Sequence, residues 1–282
     1  MALRENGGSG ARPAFGGNMS AVQRNNVQQF GQGSRVMVFA HGFGCDQNMW
    51  RLVAPAFEAD FRTVLFDHVG SGESDLRAYD SQCYASLSGY AADLNQICDE
   101  LDIHNAVFVG HSVSAMIGVL TSIADPSRFT DLVLVSPSPR YVDDGAYRGG
   151  FSSADIDDLL VSLADNHLGW SAMMAPVIMA NPDRPELGEE LMNSFCRTDP
   201  AIALDFARVT FTSDNRNDLE KVTARTLILQ CREDAIAAIE VGEYVRDAIP
   251  GSEMILLDAT GHCPNLSAPA QVIDAIRGFV RA

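Results

Sequence analysis

The chain has 282 residues, 46% of them hydrophobic and 20% charged, an ordinary globular balance with length enough for either one large core or one core plus a lid. Its formal net charge of -17, from 20 Lys and Arg against 37 Asp and Glu, argues against the basic patch that nucleic-acid binding needs. No apolar run reaches the roughly 18 residues of a membrane span, and the N-terminus lacks the charged start and apolar block of a secretory signal.

Residues 1–18 are rich in Gly, Ala, Arg and Asn without apolar period and read as a disordered leader, with Met19 the more natural start. From Asn26 onward, strand runs alternate with helical patterns. The expected strands are Val27–Phe30, Arg35–Ala40, Thr63–Phe66, Ala106–Val109, Leu132–Val135, Thr226–Gln230 and Met254–Leu257. Most are near-continuous apolar runs, as in a parallel sheet covered by helices on both faces. Met49, Val53 and Phe57 share one face of an expected helix, and Tyr90, Leu94, Ile97, Cys98 and Leu101 share another. The segment from Ala270 to Val280 closes the chain on a similar stripe. Strand and helix taking turns predict an α/β fold with a mostly parallel sheet.

The alternation stops between Pro137 and Asn217. Ser152 and Asp155 form an N-cap pattern ahead of Ile156, Leu159, Leu160 and Leu163, and Pro185 and Pro200 each open another helical pattern. Consecutive helices without a strand predict an insertion, 137–217, lying as a lid over a core made of 19–136 and 218–282. The six cysteines show no C-x-x-C pairing, which points away from zinc and redox motifs and suits reduced thiols in a cytoplasmic protein. Cys263 is read as a small packing residue, with oxidation the alternative because of its neighbour His262.

The strongest chemical signal is Val109-Gly110-His111-Ser112-Val113-Ser114, between the end of a strand and the start of a helix. A serine between small residues on such a sharp turn is the nucleophile elbow of the α/β-hydrolase fold, G-x-S-x-G, here with Ser114 at the last glycine position. His41-Gly42-Phe43-Gly44 follows a strand where that fold places its oxyanion loop, so the backbone N–H groups of Phe43 and Val113 are expected to hold developing negative charge. His41 itself reads as a structural residue of that loop. His262 follows the late strand Met254–Leu257 and suits the Ser…Asp…His order of the fold; His68 and His111 suit positioning roles, and His104 and His167 read as surface or core residues. Asp234, in the loop after Thr226–Gln230, is the expected acid, with Glu233 its immediate rival and Asp258 a further one. Cys231 and Ala237–Ala238 stand where many relatives carry a glycine and a proline. Asp67-His68-Val69-Gly70-Ser71-Gly72-Glu73-Ser74 lacks the lysine and spacing of a phosphate loop and is read as a structural turn bordering the site. The expected chemistry is two-step acyl transfer through Ser112, needing no metal or organic cofactor.

His41-Gly42-Phe43-Gly44-Cys45-Asp46-Gln47-Asn48-Met49-Trp50, Val69-Gly70-Ser71-Gly72, Asp75-Leu76-Arg77-Ala78-Tyr79-Asp80, Gly110-His111-Ser112-Val113-Ser114, Ser213-Asp214-Asn215-Arg216 and Gly261-His262-Cys263-Pro264 together resemble the RsbQ-type bacterial stress-response regulators. The same set resembles the plant strigolactone and karrikin receptors, over nearly everything from Met19 to Ala282. The resemblance implies a four-helix lid over a buried apolar pocket lined by Phe43, Phe151, Trp170 and Phe211, to which helical spacing adds Phe206. It implies slow hydrolysis or binding of a small hydrophobic ester or lactone of butenolide type, used for signalling. The protein partner it implies is a separate PAS-containing serine phosphatase. A general metabolic carboxylesterase or lactonase, and a non-catalytic ligand receptor on the same scaffold, are the alternatives.

Overall fold

Apolar runs buried on both faces need a partner layer on each side, and the computed structural model, which describes residues 19–281, supplies both. The leader expected over 1–18 lies outside the described residues. The sheet has seven strands: β1 (Gln28–Phe30), β2 (Arg35–Ala40), β3 (Phe61–Phe66), β4 (Ala106–His111), β5 (Phe129–Val135), β6 (Arg225–Glu233) and β7 (Glu253–Thr260). They lie in the order β1-β3-β2-β4-β5-β6-β7, all parallel except β1, which pairs antiparallel with β3 at one edge. Each expected strand is present. Several run further than the apolar patterns do, because pairing continues past them: Glu233 still pairs with Thr260 although its side chain is exposed.

Alternate residues of each central strand enter different cores. Met37 and Phe39 of β2 join Trp50, Phe57, Val109 and Val133 on one face, while Val36, Val38 and Ala40 join Phe66, Phe108 and Leu134 on the other. Ten helices accompany the sheet among the described residues: α1 (Ala21–Arg24), α2 (Leu87–Glu100), α3 (Val113–Ala124), α4 (Ser153–Asp165), α5 (His167–Met179), α6 (Pro185–Arg197), α7 (Pro200–Thr212), α8 (Ile239–Ala248), α9 (Pro264–Ser267) and α10 (Pro269–Arg281). Tyr90, Leu94 and Ile97 of α2 and Met116, Ile117 and Val119 of α3 cover the second face, whereas Val272 and Ile276 of α10 cover the first. None of the helices among the described residues is long and apolar enough to cross a membrane.

The helix expected around Met49, Val53 and Phe57 is instead two short 3-10 turns, Gln47–Trp50 and Ala54–Phe57. Pro55 has no N–H to give to a continuing α-helix, so the segment breaks before it. The three side chains are buried all the same, because both turns lie against the sheet.

Between β5 and β6 the chain forms four consecutive helices, α4 to α7. Its two ends are fastened to each other. Arg216 pairs with both Asp214 and Asp144, Arg140 pairs with Asp214, and the Asn215 N–H donates to the Pro139 carbonyl at 2.8 Å. The Ser213-Asp214-Asn215-Arg216 motif therefore works as a clasp where the insertion leaves and rejoins the sheet. Helix α6 is tied to the loop after β2 by Arg51–Glu190, two bonds of 2.6 and 2.7 Å, and by Arg197–Asp46 at 2.8 Å.

Helix α4 starts on the expected cap: Ser152 Oγ accepts from the Asp155 N–H, and the Asp155 carboxylate accepts from the Ser152 N–H. Replacing Ser152 by Ala is expected to lower stability in urea unfolding by about 1 kcal/mol, the usual loss for such a cap. An unchanged midpoint and slope would show that the box contributes nothing here.

Candidate active site

Ser112 sits between the last residue of β4 and the first of α3, with φ +56° and ψ -123°. For a residue with a Cβ this region is strained by about 1–3 kcal/mol and needs its surroundings to hold it. Two backbone bonds do so: the Ser112 N–H donates to the Val135 carbonyl of β5 at 2.8 Å, and the Ala115 N–H donates to the Ser112 carbonyl at 2.9 Å. The hydroxyl is thereby presented at the carboxyl end of the parallel strands, on the side that α4 to α7 cover.

His262 Nε2 lies 2.8 Å from Ser112 Oγ, and His262 Nδ1 lies 2.8 Å from Asp234 Oδ2. Asp234 directly follows β6, and its other oxygen accepts the N–H groups of Ile236 and Ala237 at 2.8 and 3.0 Å. Burial pushes this carboxyl up, but His262 and the two N–H donors outweigh burial, and its pKa falls below the usual carboxylate range. Of its rivals, Glu233 is exposed and Asp258 pairs with Arg232, so neither meets the histidine.

The histidine loop is gripped from three sides. Gly261 donates its N–H to the Glu233 carbonyl at 2.7 Å, the His262 N–H donates to Ile178 of α5 at 2.8 Å, and Asn181 Nδ2 donates to the Thr260 carbonyl at 2.9 Å. Only glycine fits at 261, where φ is +91° and a Cβ would stand 2.0 Å from the Met179 carbonyl oxygen. His111 Nε2 donates to the His262 carbonyl at 2.8 Å, so His111 holds the loop that carries the other ring.

The oxyanion-loop candidates lie against the elbow. A Cβ on Gly42 would meet His111 Nδ1 at 2.5 Å and Ser112 Cβ at 3.3 Å. No hydrogen bond among the described residues takes the Phe43 N–H, and Val113 is the first residue of α3, whose N–H has no partner within the helix. His41 Nε2 accepts the His68 N–H at 3.0 Å, a structural contact and not one to the reacting atoms.

Ser112 and His262 open onto a cavity of about 30 Å³, room for about one or two waters. Phe43, Trp170 and Phe211 line it, with Phe43 meeting the other two rings edge to face at 6.2 and 6.0 Å. Phe151 and Phe206 do not line it. Five residues along α7 turn the chain well past a right angle, so Phe211 faces the cavity while Phe206 stacks on Tyr90 at 4.6 Å in the second core. Phe151 is bridged to Val142 and packs half-buried at the side of the main core.

Several lining residues were not foreseen. Tyr141 is buried, with its hydroxyl 3.5 Å from Ser112 Oγ and its pKa raised by burial. It lies in the aperiodic stretch before α4, where no sequence pattern marks it. Phe195 and Leu191 of α6 do carry a helical signal, but it reports burial and not which buried face meets the cavity, and Ile178 lies in α5, which is apolar on nearly every side and marks no face. Cys45 and Cys263 also line the cavity, and burial pushes both thiols up, away from the reactive thiolate, which fits the packing reading of Cys263.

A doubly covered parallel sheet with a strained serine at the carboxyl end of its central strand defines a hydrolase scaffold. The alpha/beta hydrolase family model matches residues 37–275, and the chain belongs to that family. A karrikin insensitive 2 receptor of Petunia hybrida is 36% identical, over 90% of this chain and 94% of its own length. A strigolactone esterase of Arabidopsis thaliana is 37% identical, over 89% of this chain and 94% of its own length. The structure of a hydrolase from Oleispira antarctica is similar with a TM-score of 0.90 and 39% identity, covering 93% of this chain and 96% of that one.

Burial lowers the pKa of His111 to about 3, with the neighbouring His262 adding to the effect, and burial likewise lowers those of His41 and His68. Unfolded histidines take up a proton at about pH 6.5. The stability linked to the buried neutral rings is therefore fully present above about pH 6.5 and is lost as pH falls toward about 3. The melting temperature is expected to fall between about pH 7 and pH 5, and His111→Gln to flatten that fall. A melting temperature independent of pH over that window would contradict it.

Proposed function

We propose that the protein is a serine hydrolase that acylates Ser112 with a small hydrophobic ester or lactone of butenolide type. The observation that carries this reading is one unbroken chain, Asp234 Oδ2 to His262 Nδ1 and His262 Nε2 to Ser112 Oγ, opening into an apolar cavity. His262 takes the Ser112 proton as Oγ attacks the carbonyl carbon, and Asp234 keeps Nδ1 protonated and stabilises the imidazolium. The oxyanion forms between the N–H groups of Phe43 and Val113, each such donor being worth about 3 kcal/mol of barrier. The imidazolium then gives its proton to the leaving oxygen. Water, deprotonated by the same ring, attacks the acyl group and frees the serine. In a lactone the leaving oxygen stays attached to the acyl group, so both halves depart only in the second step. No metal or organic cofactor enters this scheme.

We further infer a signalling role of RsbQ type in the cytoplasm, with residues 137–217 as the moving lid and a separate PAS-containing serine phosphatase as partner. The motif likeness is what supports the RsbQ type and its partner, while the receptor and esterase names of the relatives support only a ligand-binding hydrolase. The tight cavity is compatible with the signalling role: a ligand of several carbons needs the lining side chains or the helices α4 to α7 to give way. A metabolic carboxylesterase or lactonase would share the serine chemistry, whereas a pure ligand receptor would have no use for the Asp234 contact.

Steady-state kinetics on a butenolide and on a simple aryl ester, with and without the phosphatase, test the reading. Ser112→Ala is expected to lower kcat on the order of a millionfold, and Asp234→Asn on the order of ten-thousandfold. Hydrolysis unchanged in Ser112→Ala would overturn the proposal. Turnover of many molecules per second without phosphatase binding would favour the metabolic reading.

A further inference from the structure

The elbow departs from its usual form at Ser114, where glycine would suffice for close packing. Ser114 is completely buried, so its hydroxyl needs partners, and it finds two: Oγ donates to the His41 carbonyl and lies 2.7 Å from His68 Nε2. A carbonyl only accepts, so the single hydroxyl proton of Ser114 goes to His41. The contact with His68 is then an N–H donated by that ring. His68 Nδ1 carries no proton in this tautomer and is buried without a partner, which suits a neutral ring.

His68 reaches the same loop a second time through its backbone, whose N–H His41 Nε2 accepts at 3.0 Å. His41 therefore carries its proton on Nδ1 and donates it to the Gly42 carbonyl at 2.9 Å. Two successive carbonyls, those of His41 and Gly42, are thus held from the side. The Gly42 carbonyl belongs to the same peptide plane as the Phe43 N–H, and with no cis peptide bond among the described residues the two point in opposite directions. Fixing one end of that plane fixes the other.

We propose that Ser114 and His68 are positioning residues that aim the Phe43 N–H at the developing oxyanion: Ser114, oriented by the His68 ring, holds the His41–Gly42 peptide, and so steadies the His41 ring that holds the Gly42–Phe43 peptide. The proposal rests on the hydrolytic reading of Ser112. Neither side chain touches substrate. Their effect falls on the transition state, where the donor must stand about 3 Å from the oxyanion, and not on the apolar contacts that bind the ground state.

The test compares wild type with Ser114→Ala, Ser114→Gly, His68→Leu and His68→Gln, using aryl-ester kinetics and two ligands of one skeleton. A trifluoromethyl ketone forms a tetrahedral oxyanion on Ser112, and the corresponding alcohol does not. Ser114→Ala, Ser114→Gly and His68→Leu are expected to lose about 10-fold in kcat and in ketone affinity, with KM and alcohol affinity within about twofold of wild type. His68→Gln, whose amide donates to the same hydroxyl, is expected to keep at least about half of wild-type kcat. Ser114→Gly restores the common elbow residue and guards against a misfolded Ser114→Ala. Variants that fold but leave kcat and ketone affinity unchanged overturn the proposal, as do variants that weaken ketone and alcohol equally. Ser112→Ala in the same assay separates the two ideas: if it still hydrolyses the ester, the hydrolytic reading has failed, and if it does not while Ser114 and His68 variants match wild type, only the positioning role has.

Discussion

The turn at Ser112 is the constraint on which the rest of the structure depends. A backbone angle of +56° in a residue with a side chain persists only where neighbours over-determine it, and here β5 takes the N–H while the first turn of α3 takes the carbonyl. The residues on either side serve the same junction. His111 fastens the loop of His262, and Ser114 fastens the loop of Phe43. A single five-residue turn thus sets the relative positions of three segments that are far apart in sequence.

The helical insertion is part of this arrangement and not only a cover. The carbonyl of Ile178, near the end of α5, accepts the His262 N–H, and Asn181 just beyond it holds the Thr260 carbonyl. On the other side, Phe195 of α6 packs against Phe43 at 5.7 Å, and α6 is tied to the core by Arg51–Glu190 and Arg197–Asp46. Any displacement of α5 and α6 therefore acts on both the base and the oxyanion loop. These ion pairs are largely exposed, except at Asp46, so each adds at most about 1 kcal/mol to holding the helices in place.

The sequence made the core of this design legible because its signals are local. A strand ending in Gly110-His111-Ser112, a histidine just past the last strand and an acid just past the strand before it each stand at a fixed offset from an apolar run, and the structure brings those three side chains together. The five inner strands, β2 to β6, were legible because both of their faces are buried, whereas the edge strands β1 and β7 are largely open to solvent. What escaped depended on tertiary geometry. Phe206 and Phe211 look alike in a helical pattern, yet one faces Tyr90 and the other the cavity. Tyr141 sits in an aperiodic stretch that only the finished fold carries to Ser112. The helix expected at Met49 was lost to Pro55, whose missing N–H matters more than the apolar spacing around it.

Covalent capture of the serine tests the central claim most directly. Intact-mass analysis after incubation with a fluorophosphonate, followed by peptide mapping, should show a single adduct on Ser112, absent from Ser112→Ala and slowed in His262→Ala. An unmodified protein, or an adduct that persists when Ser112 is replaced, would contradict the account.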